Sequence, residues 1–479
     1  MSFEIRTTEY GKISGSFSQA SLAKLCVKKI GVQTGPFGSQ LHNEDYVVIG
    51  TPIITVEHLG ENRITYKNMP CVSDEDKARL SKYCLQEGDI VFSRVGSVDR
   101  RALVRQEEDG WLFSGRCLRV RVDKEKIDPV YLSYFFGLEG FKNYIKSIAV
   151  GATMPSLNTK ILSDVPIYFP ELEKQKNIGK ILQEFDDKIE LNRQINQTIE
   201  AMAQAIFKSW FVDFEPVKAK ISAIEAGEDI EGVTRAAMSA ISGKTDEELD
   251  KLRAEQPEHY TQLKTTAELF PVAMQDSKMG EIPEGWKVKQ LDHLANYQNG
   301  LALQDFRPEN ENDYLPVLKI AQLKKGFADG DERASINIKP ACIVENGDVV
   351  FSWSGSLMVE IWCGGKAALN QHLFKVTSNE YPKWFYYYWT KHHLNEFQRI
   401  AADKAVTMGH IKREHLSGAL CVTPHDTIFK DLSKIISDLL VKAIEVRLEN
   451  FTLKELRDIL LPKLLSGELS VEAIELADV

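Results

Sequence analysis

The chain has 479 residues, of which 43% are hydrophobic and 27% are charged, and its formal net charge is −10 at pH 7. This length exceeds what one hydrophobic core usually serves, so we expect two or three domains. No run of about 18 apolar residues occurs, and the segment Met1–Arg6 lacks an apolar signal core, so we expect a cytoplasmic protein without a membrane span. The seven scattered cysteines include no Cys-x-x-Cys pair, which argues against a disulfide framework or a zinc site.

The first part of the chain, residues 20–170, has the pattern of a mixed α/β domain. A helix is predicted from Pro129 to Ile145, because Asp128 can cap it and proline is favoured in a first helical turn. Short β-branched or alternating segments, each flanked by turn residues, predict strands. These predicted strands are 52–56, 89–93 and 117–122.

A long helical segment follows, from residue 172 to about 210. Its residues at alternating intervals of four and three form a series in which eight of ten positions are apolar. The same series shifted by 254 residues, from 432 to 464, again has eight apolar positions of ten. A 3.5-residue period held over this length predicts two coiled-coil helices, the first of them about 57 Å long. Representative seam positions are Ile189, Asn196, Ile199, Ile206, Ala443, Asn450, Leu453 and Leu460.

Asparagine occupies the same seam position in both segments, as Asn196 and Asn450. A polar residue in a coiled-coil seam often fixes the register of the helices at some loss of stability. Alternatively, the apolar stripe drifts and Ile195 takes the buried place. The sequence leaves both interpretations open.

The segment between the first long helix and the next mixed domain is polar and rich in Ala and Glu, which predicts a connector with short helices. After it, strand-like segments at 342–344 and 348–351 and a helix opening at Pro382 repeat the first mixed domain. The predicted division is a first mixed domain at 1–170, a first long helix at 171–215, a connector at 216–285, a second mixed domain at 286–425, a second long helix at 426–470 and a tail at 471–479.

The chain contains an internal duplication. The segment Gly88–Ser97 returns as Gly347–Ser356 with seven of ten positions identical. Further pairs keep the same order along the chain, and Met154 corresponds to Met408 among them. Two copies of a large unit predict approximate twofold symmetry within one chain. The natural target of such a molecule is another molecule with two similar halves.

The sequence lacks the usual signatures of catalysis. Gly243-Lys244-Thr245 ends like a phosphate-binding loop, but Met238 stands where that loop needs a glycine. Gly-x-Gly-x-x-Gly after a strand, Asn- or Asp-Pro-Pro-aromatic, Gly-x-Ser-x-Gly and His-Glu-x-x-His are all missing. The segment Glu75-Asp76-Lys77 resembles half of a nuclease site, yet it also fits a solvated helical face. We therefore expect no catalytic and no metal-binding residues.

Two duplicated domains tied by long helices fit a molecule that reads two patches of duplex DNA. Base edges are read by Arg, Lys, Asn, Gln or Ser side chains on loops. Residues 94–121 carry seven arginines against four acids, so the negative net charge does not exclude this partner. The candidates are Gln33, Ser39, Gln40, Ser93, Arg94, Ser97, Arg100, Arg101, Arg116 and Lys160 in the first copy and Ser352, Trp353, Ser354, Lys366, Asn370, Gln371, His372 and Lys412 in the second.

Structural roles compete with this interpretation at several positions. Arg116 alternates with Arg119 and Arg121, so these three could form the solvated face of a strand. Trp353, like Trp362, could belong to the hydrophobic core. Lys160 and Lys412 are candidates for phosphate rather than base contacts.

Four segments carry a resemblance to a known family. They are Gly88–Ser93 with its repeat, residues 206–216 (IFKSWFVDFEP), residues 280–286 (GEIPEGW) and residues 460–469 (LLPKLLSGEL). In this order they resemble the specificity subunits of Type I restriction-modification systems over nearly the full length. The resemblance implies an α+β fold in which two similar mixed α/β target-recognition domains are joined by two long antiparallel coiled-coil helices, with pseudo-two-fold symmetry within the chain.

The resemblance also implies a function. Each domain would read one half of a bipartite, asymmetric DNA sequence, and the chain would act as a non-catalytic scaffold for two methyltransferase (M) subunits and for restriction (R) subunits. S-adenosylmethionine, ATP and magnesium would belong to those partners, which methylate adenine or cut DNA. Two other hypotheses stay open: a protein-interaction scaffold that does not read DNA, and a nuclease that uses Glu75 and Lys77.

Overall fold

A computed structural model describes residues 5–151, 153–403 and 409–471, apart from the side chains of residues 39, 43 and 426–428. Met408, with which the duplication pairs Met154, and the predicted tail beyond Val471 lie outside this part. The chain divides into two compact units, one comprising Met1–Glu190 with Leu453–Val479 and the other Leu191–Thr452. Within the described ranges, no helix is both long and apolar enough to cross a membrane.

The first unit begins with a mixed domain of short strands and helices. Its strands are β1 (Ile5–Thr8), β2 (Gly11–Ser14), β3 (Ser18–Ser21), β4 (Val32–Thr34), β5 (Tyr46–Val47), β6 (Thr51–Ile54), β7 (Cys71–Val72), β8 (Ile90–Ser93), β9 (Arg101–Leu103), β10 (Leu112–Phe113), β11 (Cys117–Val120) and β12 (Pro166–Phe169). Its helices are α1 (Leu22–Leu25), α2 (Asp74–Arg79), α3 (Pro129–Phe135), α4 (Glu139–Ile148) and α5 (Thr159–Asp164).

The rest of the chain adds the long helices, the connector and the second mixed domain. The first long helix is α6 (Leu172–Phe211), and the connector holds α7 (Glu215–Glu225), α8 (Ile230–Ser242), α9 (Asp246–Glu255) and α10 (Pro257–Glu268). The following strands are β13 (Met274–Ser277), β14 (Gly280–Pro283), β15 (Lys287–Gln290), β16 (Asn296–Asn299), β17 (Tyr314–Leu318), β18 (Arg333–Ser335), β19 (Ile343–Val344), β20 (Val349–Ser352), β21 (Met358–Ile361), β22 (Ala367–Leu369), β23 (Leu373–Thr377) and β24 (Leu420–Thr423). The remaining helices are α11 (Leu291–Leu294), α12 (Ile320–Lys325), α13 (Lys383–His392), α14 (Leu394–Asp403), α15 (Arg413–Gly418) and α16 (Asp426–Ser466).

The two mixed domains share one sheet topology. The main sheet has the antiparallel order β4-β11-β8-β9 in the first copy and β16-β23-β20-β21 in the second. The pair β3-β12 corresponds to β15-β24, and the hairpin β1-β2 corresponds to β13-β14. The duplication seen in the sequence is therefore a duplication of the fold, and it includes the hairpin at Met274–Pro283.

Each main sheet is buried on both faces, because neighbouring residues of a strand point to opposite sides. In β8, Ile90 and Phe92 belong to a cluster with Phe135 of α3, whereas Val91 belongs to a second cluster with Ile53 of β6. In β20 the alternation recurs, with Val349 and Phe351 in one cluster and Val350 in another. Continuous burial explains why this strand reads as an unbroken apolar run in both copies.

The repeated Gly-Asp pair forms the turn that enters this strand. Gly88 has φ +90°, a conformation that disfavours side chains, and the buried Asp89 accepts a hydrogen bond from the Gln86 backbone N–H at 2.8 Å. Asp89 also pairs with Arg121 at 2.6 Å. The second copy repeats the turn and the ion pair with Gly347, Asp348 and Lys375. The pattern that the two copies share is thus structural.

The predicted strands are present with bounds that differ by one or two residues, but the helix predicted from Pro129 to Ile145 is wrong as a single element. It is two helices, α3 and α4, separated at Gly137. A Cβ atom at Gly137 would lie 2.1 Å from a guanidinium nitrogen of Arg101, so the glycine leaves room for this buried side chain. At the start of α3, the Asp128 side chain accepts from the Tyr131 backbone N–H at 2.8 Å, as the capping pattern predicts.

The long helices follow the predicted seam. Every position of the four-three series is buried or half-buried in both α6 and α16. In the second unit, Asn192 donates to Glu449 at 3.0 Å and Glu200 contacts Arg447, so later residues of α6 meet earlier residues of α16 and the helices are antiparallel. Each helix contributes to the cores of both units.

The seam asparagines are buried, with 7% of Asn196 and 9% of Asn450 exposed. Ile195 is 37% exposed, so the alternative in which it takes the buried place is wrong. The contacts above place Asn196 level with Asn450 along the antiparallel pair. A register-fixing role remains a prediction.

The connector forms a small helical cluster. Ala237 and Met238 of α8 pack with Leu249 of α9 and with Tyr260 and Ala267 of α10. Short helices were expected here, and a hydrophobic core of their own was not, because their apolar residues are few and widely spaced.

The seam predicts a sharp contrast between two neighbouring residues of α6. Ile189 is 3% exposed and Leu191 is 51% exposed. Ile189→Ala should lower the free energy of unfolding of the first unit by about 2–4 kcal/mol, because it removes buried methylene groups and leaves a cavity. Leu191→Ala should change it by less than about 0.5 kcal/mol. Hydrogen exchange of α6 amides measures both; equal effects would contradict the seam.

Candidate nucleic-acid interface

Several loops meet at one edge of each main sheet. The register pairs Thr34 with Leu118, Ser93 with Cys117 and Phe92 with Arg101. The chain therefore leaves β4 and β8, and enters β9 and β11, on the same side of the sheet. We define the first loop edge as residues 35–40, 94–100, 114–116 and 153–156, and the second loop edge as residues 300–306, 353–357, 370–372 and 409–411.

The backbone of the two loop edges is repeated at the level of hydrogen bonds. Gly96 N–H donates to Pro155 O and Gly355 N–H donates to Gly409 O, both at 2.9 Å. Leu157 N–H donates to Arg94 O at 2.9 Å, as Ile411 N–H donates to Trp353 O at 3.0 Å. These bonds tie the segment before α5 or α15 to the loop after β8 or β20. A fixed backbone thus presents side chains that differ between the copies.

Close approach of two loops requires glycine in both copies. A Cβ atom at Gly35 would lie 2.3 Å from the carbonyl oxygen of Ser114, and one at Gly300 would lie 2.3 Å from that of Asn370. Any side chain here would push these loops apart. The loop after β4 or β16 is consequently held against the loop that precedes β11 or β23.

The first loop edge presents arginines. Arg94 donates from Nη1 to Gly115 O at 3.0 Å, and its guanidinium lies 5.9 Å from the centre of the exposed Phe37 ring. Arg116 and Ser97 are exposed on the adjoining loops. Arg100 donates to Leu59 O at the base of the same loop. The edge is therefore positively charged, and one of its arginines is oriented by an aromatic ring.

The second loop edge presents an aromatic and amide surface instead. Trp353 replaces Arg94, and its Nε1 donates to Gln371 O at 3.2 Å. His372 Nδ1 lies 3.0 Å from Ser354 Oγ, so the ring is fixed, while Gln371 is exposed. Asn370 accepts a hydrogen bond from the His372 N–H at 3.3 Å and is mostly buried.

A groove of about 850 Å³ extends from this second edge. It is lined by Asn370, Gln371 and His372 and by the cations Arg307, Lys319 and Arg333, with the acids Asp331 and Glu332 among them. Arg333 lies 4.1 Å from the centre of the Tyr314 ring. The sequence interpretation missed Arg307, Lys319 and Arg333, because they lie outside the repeated blocks. Phe37 lies in the candidate loop from Gln33 to Gln40, but its exposed ring was not singled out.

Other predicted residues are held away from solvent. Ser93 and Ser352 are fully buried and donate to the carbonyl oxygens of Val95 and Ser354, both at 3.1 Å, so they stabilise the loop rather than reach a ligand. Arg101 is buried and donates from Nε to Ser133 O at 3.0 Å. For these three side chains, the expectation that they are available to contact DNA is wrong.

The loop that begins at Gln33 is only partly available. Gln33 accepts from the buried Arg119 at 2.6 Å, and Gln40 accepts from Tyr83, so both amides are engaged within the domain. The side chain of Ser39 lies outside the described residues. Lys366 is exposed but forms an ion pair with Glu345 near the Gly-Asp turn, at the opposite end of β20 from Trp353.

The two lysines expected to touch phosphate are exposed and adjoin the loop edges. Lys160 lies in the first turn of α5, shortly after the residue that bonds Arg94. Lys412 follows Ile411 directly, and its Nζ lies 3.7 Å from Glu414.

The structural roles considered for the arginines near β11 and for the two tryptophans have different outcomes. Arg116 precedes β11 in a turn, Arg119 is 1% exposed, and Arg121 pairs with buried Asp89, so these residues do not form a solvated strand face. Trp362 belongs to the core, whereas Trp353 is half-buried at the loop edge.

The segment that resembles half of a nuclease site lies on α2. Ser73 caps this helix, Asp76 pairs with Arg79 at 2.6 Å, and Glu75 is exposed, as the solvated-face interpretation predicts. Among the described residues, no group of three or more His, Cys, Asp and Glu could hold a metal ion.

Known proteins resemble the chain along nearly its whole length. The Type I restriction enzyme HindI specificity subunit of Haemophilus influenzae is 29% identical over 410 residues, covering 82% of this chain and 89% of the relative. The Type I restriction enzyme MjaIX specificity subunit of Methanocaldococcus jannaschii is 23% identical over 480 residues, with 98% of each covered. The crystal structure of the S subunit of a Type I restriction-modification system from M. genitalium has a TM-score of 0.53, at 13% identity and with 94% of this chain and 96% of that chain covered.

The family described as "Type I restriction modification DNA specificity domain" matches twice, at residues 32–201 and 283–445. Each match covers the main sheet of one mixed domain and part of the long helix that follows. The duplicated fold, the two long helices and the predicted absence of a catalytic role all agree with a specificity subunit. The chain belongs to the Type I restriction-modification DNA specificity family.

Proposed function

We propose that this chain reads a bipartite, asymmetric DNA target and is the scaffold on which a Type I restriction-modification complex assembles. The observation that carries the proposal is the pair of loop edges, which share a backbone and differ in side chains. One domain family present twice in a chain supplies two readers, and divergent loop tips let them read different half-sites.

The loop edges differ in the chemistry that reads bases. Arginine on the first edge matches the acceptors O6 and N7 of guanine, and the exposed glutamine on the second edge matches N6 and N7 of adenine. Arg94 and Arg116 are therefore the principal base-reading candidates of the first half-site, and Gln371 is that of the second. Lys160, Lys412 and the groove cations supply phosphate contacts.

The partners follow from the family. We propose that two methyltransferase subunits and the restriction subunits bind this chain, and that S-adenosylmethionine, ATP and magnesium are bound by those partners. Adenine methylation or restriction would then be directed to the sequence that this chain selects. Phosphate contacts from the partners would supplement the cations of the loop edges, in keeping with the net charge of −10.

The first prediction concerns base reading. In the complex assembled with its methyltransferase partner, Arg116→Ala should weaken binding to the target about 10- to 100-fold and relax selectivity at one position of one half-site. Lys124→Ala is the matched control, since it removes the same charge near the other end of β11, where Lys124 contacts Glu87 O at 3.3 Å. Equilibrium competition with single-base variants of the target measures both. Equal effects, or loss of selectivity in both half-sites, would contradict the assignment.

The second prediction concerns the gap between half-sites. Seven residues inserted after Glu190 and seven after Thr452 preserve the heptad phase and lengthen each helix by about 10 Å, which corresponds to about three base pairs. The tolerated gap should widen by that amount while both half-sites stay the same. Paired five-residue insertions are the control, because they rotate the seam by about 140° and should abolish assembly. A gap that does not change with seven residues would refute the role of the helices as a spacer.

A further inference from the structure

The first mixed domain packs on the long helices through buried charges. Asp186 of α6 is 6% exposed, and it accepts hydrogen bonds from Arg457 of α16 and from Tyr134 of α3, both at 2.7 Å. Arg101 of β9 lies buried beside this group. Burial lowers the pKa of Arg101 to about 10, against the opposing charge of Asp186, so the guanidinium stays charged at neutral pH.

A second carboxylate of α6 extends this contact. Asp187 contacts Arg63, and Arg105 Nη1 lies 2.9 Å from the same oxygen. The first domain therefore presents three cations to two adjacent acids of the helix. We call this group the first domain–helix interface; its members are Arg63, Arg101, Arg105, Tyr134, Asp186, Asp187 and Arg457.

In the second unit the mixed domain contributes a carboxylate, rather than cations, to its contact with the helices. Here the helix α16 supplies the cation, Arg447, which contacts Glu200 of α6 and donates to Ile361 O at 3.1 Å. The domain supplies Glu360, whose carboxylate lies 4.0 Å from Arg447, and the hydroxyl of Tyr387. Burial raises the pKa of Glu360, and the charge of Arg447 opposes that rise. This is the second domain–helix interface.

The duplication places apolar residues of the second unit where the first interface has charged ones. A shift of 254 residues relates α6 to α16. By this shift, Asp186 and Asp187 of α6 correspond to Leu440 and Val441 of α16. In the other direction, Arg457 of α16 corresponds to Ala203 of α6. In the sheet, Arg101 pairs with Phe92 as Val359 pairs with Phe351, so Val359 is the counterpart of Arg101. Leu440, Ala203 and Val359 are all at most 5% exposed.

We propose that the charges of the two domain–helix interfaces let each recognition domain pack only on its own helix sections, which are the parts of α6 and α16 that belong to the same unit. We call this pairing rule the charge code, and it fixes the order of the two half-sites in the target. The statement about order rests on the proposed function. Physically, the first domain placed on the second sections would bury Arg101 against Leu440 and Ala203, and an unpaired buried charge is strongly destabilising. The second domain placed on the first sections would leave Asp186 and Arg457 facing Val359.

The first test measures the code inside the intact chain, without DNA. Three variants are compared with the unmodified chain: Arg101→Val, the double variant Asp186→Leu with Arg457→Ala, and the triple variant that combines them. The double variant leaves the buried Arg101 without its carboxylate, and Arg101→Val removes the hydrogen bond to Ser133 O and leaves the buried Asp186–Arg457 pair without the cation beside it. The triple variant places at these three positions the apolar residues that the second unit has at the corresponding positions. Amide hydrogen exchange in α3 reports on the first unit.

We expect exchange in α3 to accelerate at least about tenfold in the single and double variants and to return to within about threefold of the unmodified chain in the triple variant. Lys180→Ala, which removes an exposed helix cation that lies 4.0 Å from Glu184, is the control and should leave the rate unchanged. A triple variant that is as unstable as the sum of the other two overturns the charge code.

The second test exchanges the domains. Residues 5–169 and 274–423 are swapped between native helices, and the chain is assembled with its methyltransferase partner. A second swapped chain also exchanges the helix charges, by Asp186→Leu, Asp187→Val, Arg457→Ala, Leu440→Asp, Val441→Asp, Ala203→Arg, Glu200→Lys and Lys454→Glu. We expect only the second chain to bind DNA, with the half-sites in reversed order.

Each outcome decides a different claim. Equal folding and equal reversed-order binding by the two swapped chains would overturn the charge code. If the charge-exchanged chain folds, as α3 exchange shows, and yet binds no duplex selectively, the charge code stands and the proposed function fails.

Discussion

The rest of the structure depends on the apolar seam of two helices. Leu182 of α6 belongs to the core of the first unit, and Phe207 of the same helix belongs to that of the second. Helix α16 likewise supplies Leu464 to the first core and Ile436 to the second, so neither mixed domain completes its core without both helices. Each helix has to keep its seam buried over about 40 residues, so the period of 3.5 residues cannot slip without exposing a core.

In the duplicated domains, the residues that repeat have structural roles, and the residues that differ lie at the loop tips. The Gly-Asp turn, the buried serine that closes the next loop, and the backbone bonds of the loop edges recur in both copies, because each satisfies a buried polar group. At the tips, where no such demand exists, Arg94 of one copy corresponds to Trp353 of the other. In the proposed function, this division lets one fold serve two base sequences. The same logic applies where each domain packs on its helices, since the charges of the two domain–helix interfaces differ.

Much of the fold could be predicted because it follows from local chemistry: a 3.5-residue period, the cap at Asp128 and β-branched runs between turns. The break at Gly137 was not predicted, and the residue that packs against this glycine is Arg101, which is distant in sequence. For the same reason Arg101, Ser93 and Ser352 were predicted as surface residues, although their partners bury them. Arg94, Arg116 and Gln371 were predicted at the loop edges because the duplication marks where strands end. Arg307 and Arg333 belong to a groove that only long-range packing creates.

The central claim is that both loop edges contact the target. Hydrogen exchange of the complex, with and without a duplex that carries both half-sites, tests it most directly. Binding should slow exchange in residues 94–100 and 114–116 and in residues 353–357 and 370–372, and a duplex with one half-site scrambled should lose the protection of one edge only. Protection confined to the helices, or none at either edge, would contradict the account.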